Sequence, residues 1–506
     1  MKQLNRALLA SDFSFPPDVT VGQKALLPEK VLQFGEGNFL RAFVDSMFDE
    51  LNAAGLFGGS ITIAQPIAAG LVDILKEQDG LYTLFLRGLE NGQEVCRKRV
   101  VTSVQDAVNP YDDFGGYFAR AKNPDLRFVV SNTTEAGIAY VASDNLTDTP
   151  QKSFPGKVTA FLFTRFTHFA GDITKGLVFI PCELIDYNGT TLKKIVLRYA
   201  EEWNLGEAFI AWINEACVFT NTLVDRIVTG YPRDEAAQLE AELGYTDKLL
   251  DTGEIFHFWV IEGPSWLREE LPFDKLGLNV VFTDDATPYK LRKVRILNGA
   301  HTCFVPAAYL CGHNTVGESV ADPMFKAYLE KALFDEVIPT LDLEYDNLKS
   351  FADAVFDRFA NPFIKHLLLS ISLNSVSKWK ARVLPSVLEY AKRKNALPPV
   401  LTFSFATMLA FDRGTNIEDG ALIGSRNGEA YKIMDDAANL ELMQSLWGKC
   451  DGSKESVAAL VQEICGRADI WDADLNQLAG FADSVSASLF GILQNGMKAE
   501  VARVIQ

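Results

Sequence analysis

The sequence predicts an α/β protein of two domains: a Rossmann-type parallel sheet over residues 1–286, then a mainly α-helical domain over residues 287–506. Three observations carry this. The apolar run Val31–Phe34 ends in Gly35-Glu36-Gly37 and leads into helix-like sequence from Phe39 to Leu51. That is the strand, tight turn and helix N-terminus of a dinucleotide pyrophosphate site. Further apolar runs of strand length recur up to Phe282. From Thr287 onward apolar residues step by three and four, as amphipathic helices require.

Length and composition set the frame. At 506 residues the chain exceeds what one compact core serves, so two or more domains are expected. A hydrophobic content of 48% with 23% charged residues fits a globular enzyme. The formal net charge of −18 argues against nucleic acid or an anionic membrane as partner. An anionic substrate would therefore need a locally basic pocket. Seven cysteines are dispersed, with no C-x-x-C pair and no close Cys/His cluster. No metal is expected, and the thiols read as reduced, in a cytoplasm. Met1–Ala10 lacks the apolar core of a signal peptide. The uncharged window Ala53–Val72 holds four glycines and Pro66, so it reads as loop, strand and loop rather than a membrane span.

The elements follow in order. Phe34, Gly35 and Gly37 form the candidate phosphate turn, although the pattern is G-x-G without a third glycine at its usual place. Ser60–Ala64 reads as the second strand. An NAD-preferring Rossmann domain usually places an acid after it to grip the ribose hydroxyls. Here Gln65-Pro66 follows instead, and no arginine stands nearby to meet a 2′-phosphate. Gln78–Arg87 reads as a turn and an alternating strand, and Leu126–Val130 as another strand. Ser131–Glu135 would be the loop after it. Asn132 and Glu135 are either ligand contacts at the strand end or caps of a following helix. Phe154–His168 reads as a helix and Gly176–Ile185 as a buried strand. Asn188-Gly189 is by default a turn. Phe256–Glu262 and Leu278–Phe282 complete the strand-rich half. Helices are then expected over Met324–Ile338, Leu348–Phe359, Ile364–Leu373, Leu384–Ala396 and Val457–Cys465, and Asp412–Glu418 reads as an exposed loop.

One stretch carries candidate chemistry. Thr287-Pro288 reads as an N-cap and first helical residue, ahead of Lys293-Val-Arg-Ile-Leu-Asn298-Gly-Ala-His301. On an α-helix, Asn298 lies about 140° and His301 about 80° round from Lys293. An amine, an amide and an imidazole would share one broad side. The amine could exchange a hydroxyl proton, the amide hold an alkoxide, and the imidazole orient a neighbouring hydroxyl. The spacing equally admits a solvated lysine, an Asn-Gly turn and a semi-buried histidine.

Lys-x-x-x-x-Asn-x-x-His resembles the signature of the polyol-specific long-chain dehydrogenases, the mannitol dehydrogenase family. Gln33–Val44, Gln78–Thr83, Ser131–Gly137, Pro181–Gly189, Asn221–Arg233 and Leu297–Thr302 are similar to that family in order along most of the chain. They look closest to its hexuronate branch. The resemblance implies an NAD-dependent oxidoreductase interconverting D-tagaturonate and D-altronate, with reduction of fructuronate or mannitol chemistry as alternatives. A non-catalytic nucleotide-binding protein is the alternative of another class. The resemblance also places Asn38, Phe39 and Arg41 in the cofactor turn and Asp225 beside the substrate. It makes Lys293 the proton-transferring group and gives the oxyanion to Asn298 and Asn188. His301 and Lys378 would position substrate, and Arg382, one turn beyond Lys378, could share a carboxylate with it. A sugar acid is the expected partner, with no nucleic acid and no membrane, for a monomer or small homo-oligomer.

Overall fold

The computed structural model describes every residue except Asn91. The chain divides into two compact units, Met1–Ala286 and Thr287–Gln506.

In the first unit six strands make one sheet: β1 (Glu29–Phe34), β2 (Ser60–Ala64), β3 (Val104–Val108), β4 (Phe128–Ser131), β5 (Val178–Pro181) and β6 (Val218–Phe219). They lie in the order β3-β2-β1-β4-β5-β6, every neighbouring pair parallel. This is the strand order of the doubly wound dinucleotide fold, with its topological switch between β1 and β4. The strands read as continuous apolar runs because both faces are covered. Helices α1 (Phe154–His168), α2 (Asn188–Glu202) and α3 (Glu207–Ala216) pack one face with Phe161, Leu192, Val196 and Trp212. The helical stretch after β1 packs the other with Phe43, Met47, Phe48 and Leu51. The register aligns the strand ends: Phe34 faces Ala64 and Ser131, Ala64 faces Val108, and Ser131 faces Pro181. The four loops after β1, β2, β4 and β5 therefore leave the sheet along one edge.

Besides a short parallel pair of Lys2–Gln3 with Tyr245–Thr246, this unit holds two further sheets. Tyr82–Glu90 and Gln93–Val101 form a hairpin joined by Val19–Val21 and Asp251–Glu254. Asn221–Asp225, Phe258–Glu262 and Val280–Thr283 form a three-stranded sheet. The expected strand over 176–185 shortens to β5, because the chain after Pro181 turns away into the loop that holds Glu183.

The second unit is helical around a buried centre. Its first helix runs as α4 (Thr287–Arg292), a π segment (Lys293–Asn298) and α5 (Gly299–Leu310). Thr287 already lies within α4, one residue earlier than the N-cap expectation. Around this path stand α6 (Tyr345–Phe359), α7 (Ser375–Arg382) and α8 (Pro399–Phe411), and α9 (Phe481–Asn495) packs on α8. Every residue of α8 from Val400 to Phe411 is buried, as suits a helix that is apolar on all sides. Two expectations fail here. The helix expected over 364–373 reduces to Leu368–Ile371, bounded by Pro362 and by Asn374 at φ +55°. Gly414–Glu418 is not a loop; it pairs with Ala421–Arg426, which pairs in turn with Glu429–Ile433, in an antiparallel meander. No helix among the described residues is long and apolar enough to cross a membrane.

Candidate active site

The loop edge of the first unit is shaped by its glycines. Gly35 adopts φ +120°, and a Cβ on it would stand 2.8 Å from the Asn132 carbonyl oxygen. Only glycine lets the turn after β1 lie this close to the loop after β4. Gly37 faces open space, with nothing within 4 Å of where its Cβ would be. The helical stretch begins at Asn38, so its first-turn N–H groups open onto that space. A backbone cradle at a helix N-terminus fits a pyrophosphate.

Side chains of the expected cofactor set behave differently from one another. Asn38 is exposed and packs against Gly230, and Phe39 stacks on Phe43 at 5.1 Å. Arg41 does not reach the crevice. It is 1% exposed, and its guanidinium donates to the carbonyls of Glu36 (3.2 Å) and Leu249 (2.7 Å) and to the Asn38 side chain. Arg41 is thus an internal brace that fixes the turn. Phe34 is likewise a core residue, its ring against Phe154 and Tyr117, and only its backbone serves the edge. Asn132 donates from its amide to the Cys182 carbonyl at 3.0 Å, tying the β4 loop to the β5 loop. Glu135 is exposed in a turn. Neither caps a helix, because the next helix after the β4 loop begins only at Phe154.

Glu183 is a member of this edge that the sequence reading passes over. Its buried carboxylate accepts from the Thr133 N–H and hydroxyl, both at 2.9 Å, and from the Ser131 hydroxyl at 3.0 Å. Burial pushes its carboxyl up, and those donors oppose the shift. The one available signal was an acid at the end of a long apolar run.

Asn188 corrects an expectation. It is not in a turn but in the first turn of α2, after Tyr187 at φ +52°, and it is 0% exposed. Its Nδ2 donates to the carbonyls of Pro181 (3.0 Å) and Glu183 (3.1 Å), with the Thr222 hydroxyl at 3.2 Å. Its Oδ1 accepts from the Gly189 and Thr222 N–H groups. Both amide hydrogens are committed to the strand end, so none is left for an alkoxide in this arrangement. Asp225 is buried at the end of its strand, opposite Phe258. The neighbouring Arg226 turns inward, its guanidinium buried on the carbonyls of Ala42, Ile255 and Phe256.

In the second unit, Lys293 opens the π segment, Asn298 closes it, and His301 follows in the first turn of α5. A π turn closes i→i+5 backbone bonds, the very spacing of Lys293 and Asn298. The wider turn brings those two residues nearer one face than α-helical geometry allows. Gly299 lets α5 pass close to α7, since a Cβ there would meet the Arg382 carbonyl at 3.2 Å. Lys293 and Asn298 are half-buried, and no hydrogen bond from the Asn298 amide occurs among the described residues.

His301 sits among aromatic and cationic groups. Its ring lies 4.3 Å from Phe359 and 5.2 Å from His366, with Nε2 sealed from solvent and unpartnered. Burial, reinforced by His366, Arg358, Arg382 and Lys378, holds its pKa well below the usual imidazole value. The ring is therefore neutral. Lys378 donates from Nζ to the Ile371 carbonyl at 2.9 Å, and Arg382 donates to the Thr302 hydroxyl at 3.4 Å. Burial lowers the pKa of both, and Arg382 lowers that of Lys378 further. The structure thus gathers His301, Lys378 and Arg382, with Arg358 and His366 beside them. Lys378 and Arg382 place positive charge beside the neutral ring, only partly offset at Lys378 by Asp435, an arrangement that a bound anion would favour.

The comparisons with known proteins agree along the chain. Residues 29–275 match the mannitol dehydrogenase Rossmann domain and residues 285–493 the mannitol dehydrogenase C-terminal domain. The altronate oxidoreductase of Cronobacter sakazakii is 49% identical over 479 residues, 94% of this chain and 97% of that protein. That of Pectobacterium atrosepticum is 50% identical over 475 residues, 94% and 96% of the two chains. Among solved structures, a substrate-free D-sorbitol dehydrogenase aligns with a TM-score of 0.79 at 22% identity, over 99% of this chain and 100% of that one. Pseudomonas fluorescens mannitol 2-dehydrogenase, in complex with NAD and D-mannitol, aligns with a TM-score of 0.65 at 22% identity and 99% of both chains. With both domain models matched in order, and half of its residues shared with full-length relatives, the chain belongs to the mannitol dehydrogenase family.

Proposed function

We propose that this protein is an NAD-dependent oxidoreductase that interconverts D-tagaturonate and D-altronate. The observation that carries the sugar acid, rather than a neutral polyol, is the group of Lys378, Arg382 and Arg358 around His301 in a chain of net charge −18. The altronate oxidoreductase relatives support the same choice.

Unit 1 binds the nucleotide. The Gly35–Gly37 turn and the N–H groups at Asn38 and Phe39 face the pyrophosphate, Arg41 and Glu183 hold the turn and the β4 loop in place, and Asn132 lines the edge. Bound NAD supplies the hydride acceptor. Unit 2 supplies the proton chemistry. Lys293 removes the hydroxyl proton as altronate is oxidised and returns it on reduction. The Asn298 amide donates to the alkoxide that forms, a contact strongest in the transition state. Neutral His301 orients a neighbouring hydroxyl. Lys378 meets the carboxylate as a point charge and Arg382 as a two-pronged donor. Asn188 acts by fixing the strand end, and Asp225 borders the substrate. The seven free thiols fit a cytoplasmic enzyme.

A panel of tagaturonate, fructuronate and fructose, followed by NADH absorbance, tests the assignment. Tagaturonate should give the highest kcat/KM and fructose the lowest. A preference for fructose would exclude the uronate reading, and no turnover of any of the three would leave a nucleotide-binding protein.

A further inference from the structure

The loop after β2 lacks the acid that ordinarily grips a ribose, and Gln65, which stands there, is not available to replace it. Gln65 is buried, and its amide donates to the carbonyls of Ile67 and Ala68 at 2.9 and 3.0 Å. Its Oε1 accepts from the Val72 N–H at 3.3 Å. The residue that does bring a carboxylate to this loop comes from the neighbouring turn. Glu36, between Gly35 and Gly37, is 9% exposed. A Cβ on Gly70 would lie 2.0 Å from Glu36 Oε1 and 2.5 Å from Gln65 Oε1. The Glu36 carboxylate thus crosses from the end of β1 to the loop after β2, and Gly70 makes room for it. The Leu71 N–H supports it there, while burial pushes the carboxyl up. A carboxylate has about four acceptor positions, so capacity remains for a ligand with paired O–H groups. Such donors would also favour its charged form.

We propose that Glu36 grips the vicinal hydroxyls of the adenosine ribose and so selects NAD(H) over NADP(H), in place of the acid missing after β2. This rests on the reading that the chain binds a nicotinamide dinucleotide. The strand end beside the glycine turn is where the ribose lies in this fold. Its two hydroxyls can donate to the two carboxylate oxygens, whereas a 2′-phosphate would set a second anion against a buried one.

Nucleotide fluorescence titration of the whole protein gives dissociation constants for NADH and NADPH without turnover. The native chain should bind NADH at least roughly tenfold tighter, and Glu36→Gln should narrow that ratio to within about threefold. Gly70→Ala keeps the charge but displaces the carboxylate, and should weaken NADH by more than about fivefold. If Glu36→Gln fails to fold, Gly70→Ala decides alone. An unchanged ratio in folded Glu36→Gln, or unchanged NADH affinity in Gly70→Ala in its place, overturns the proposal. Native preference for NADPH overturns it while leaving the oxidoreductase reading intact. Binding of neither nucleotide would overturn both.

Discussion

The loop edge of the first unit and the Lys293 helix of the second use polar side chains in opposite ways. At the loop edge, Arg41, Glu183, Asn132 and Asn188 are spent on backbone groups of neighbouring loops. What remains for a ligand there is main-chain N–H and the space beside glycine. On the helix, the Asn298 amide and His301 Nε2 have no partner among the described residues, and on the neighbouring α7 the charge of Lys378 is opposed by burial and by Arg382. The first arrangement suits a ligand recognised by shape and phosphate. The second stores polar capacity that only a substrate would use, and unmet polar groups of this kind mark functional sites.

The largest break in the comparison should come from Lys293→Ala. It should lower kcat by on the order of a hundredfold or more, the scale of general acid–base catalysis, while NADH affinity stays near native. A kcat close to that of the native chain would remove Lys293 from the mechanism. Next, Lys378→Ala or Arg382→Ala should cost roughly 2 kcal/mol in kcat/KM for the uronate and much less for fructose, because only the uronate presents a carboxylate. Equal losses on both substrates would assign these residues to the fold. The two asparagines sharpen the contrast further. Asn188→Ala should lower unfolding stability by about 1–3 kcal/mol, since it orphans buried carbonyls. Asn298→Ala should leave stability nearly unchanged and reduce kcat. A reversal of that pattern would restore the oxyanion role to Asn188.

The smallest effect concerns pH. His301 has a folded-state pKa well below the unfolded value of about 6.5, so the unfolded chain binds a proton that the folded one refuses. Stability contributed by this site is present above about 6.5 and declines as pH falls below it, by at most ~1.4 kcal/mol per pH unit. His301→Gln should flatten that part of the stability profile, measured by denaturant unfolding across the acid range. An unaltered slope would mean that the imidazole titrates normally.

Some of this was legible in residue order. Ser60–Ala64 and Phe154–His168 form the strand and helix that their local pattern predicts, because apolar runs and the Ser153 cap act over a few residues. Arg41 could not be read correctly, because its partner Leu249 lies 208 residues away. The meander from Gly414 to Ile433 was missed because its two outer strands are largely exposed and carry little apolar pattern. The same holds for Glu36: its sequence neighbours announce a phosphate turn, while its carboxylate answers to Gly70 in another loop.

By itself, then, the sequence determined the Rossmann order of elements, the helical second unit and the register that puts Lys293, Asn298 and His301 on one helical path. These depend on apolar periodicity, glycine conformation and short-range backbone bonding, which are local. The tertiary structure decided which polar side chains remain open. Hydrogen-bond capacity is finite, and distant carbonyls claim the amide of Asn188 and the guanidinium of Arg41 but leave the amide of Asn298 unspent.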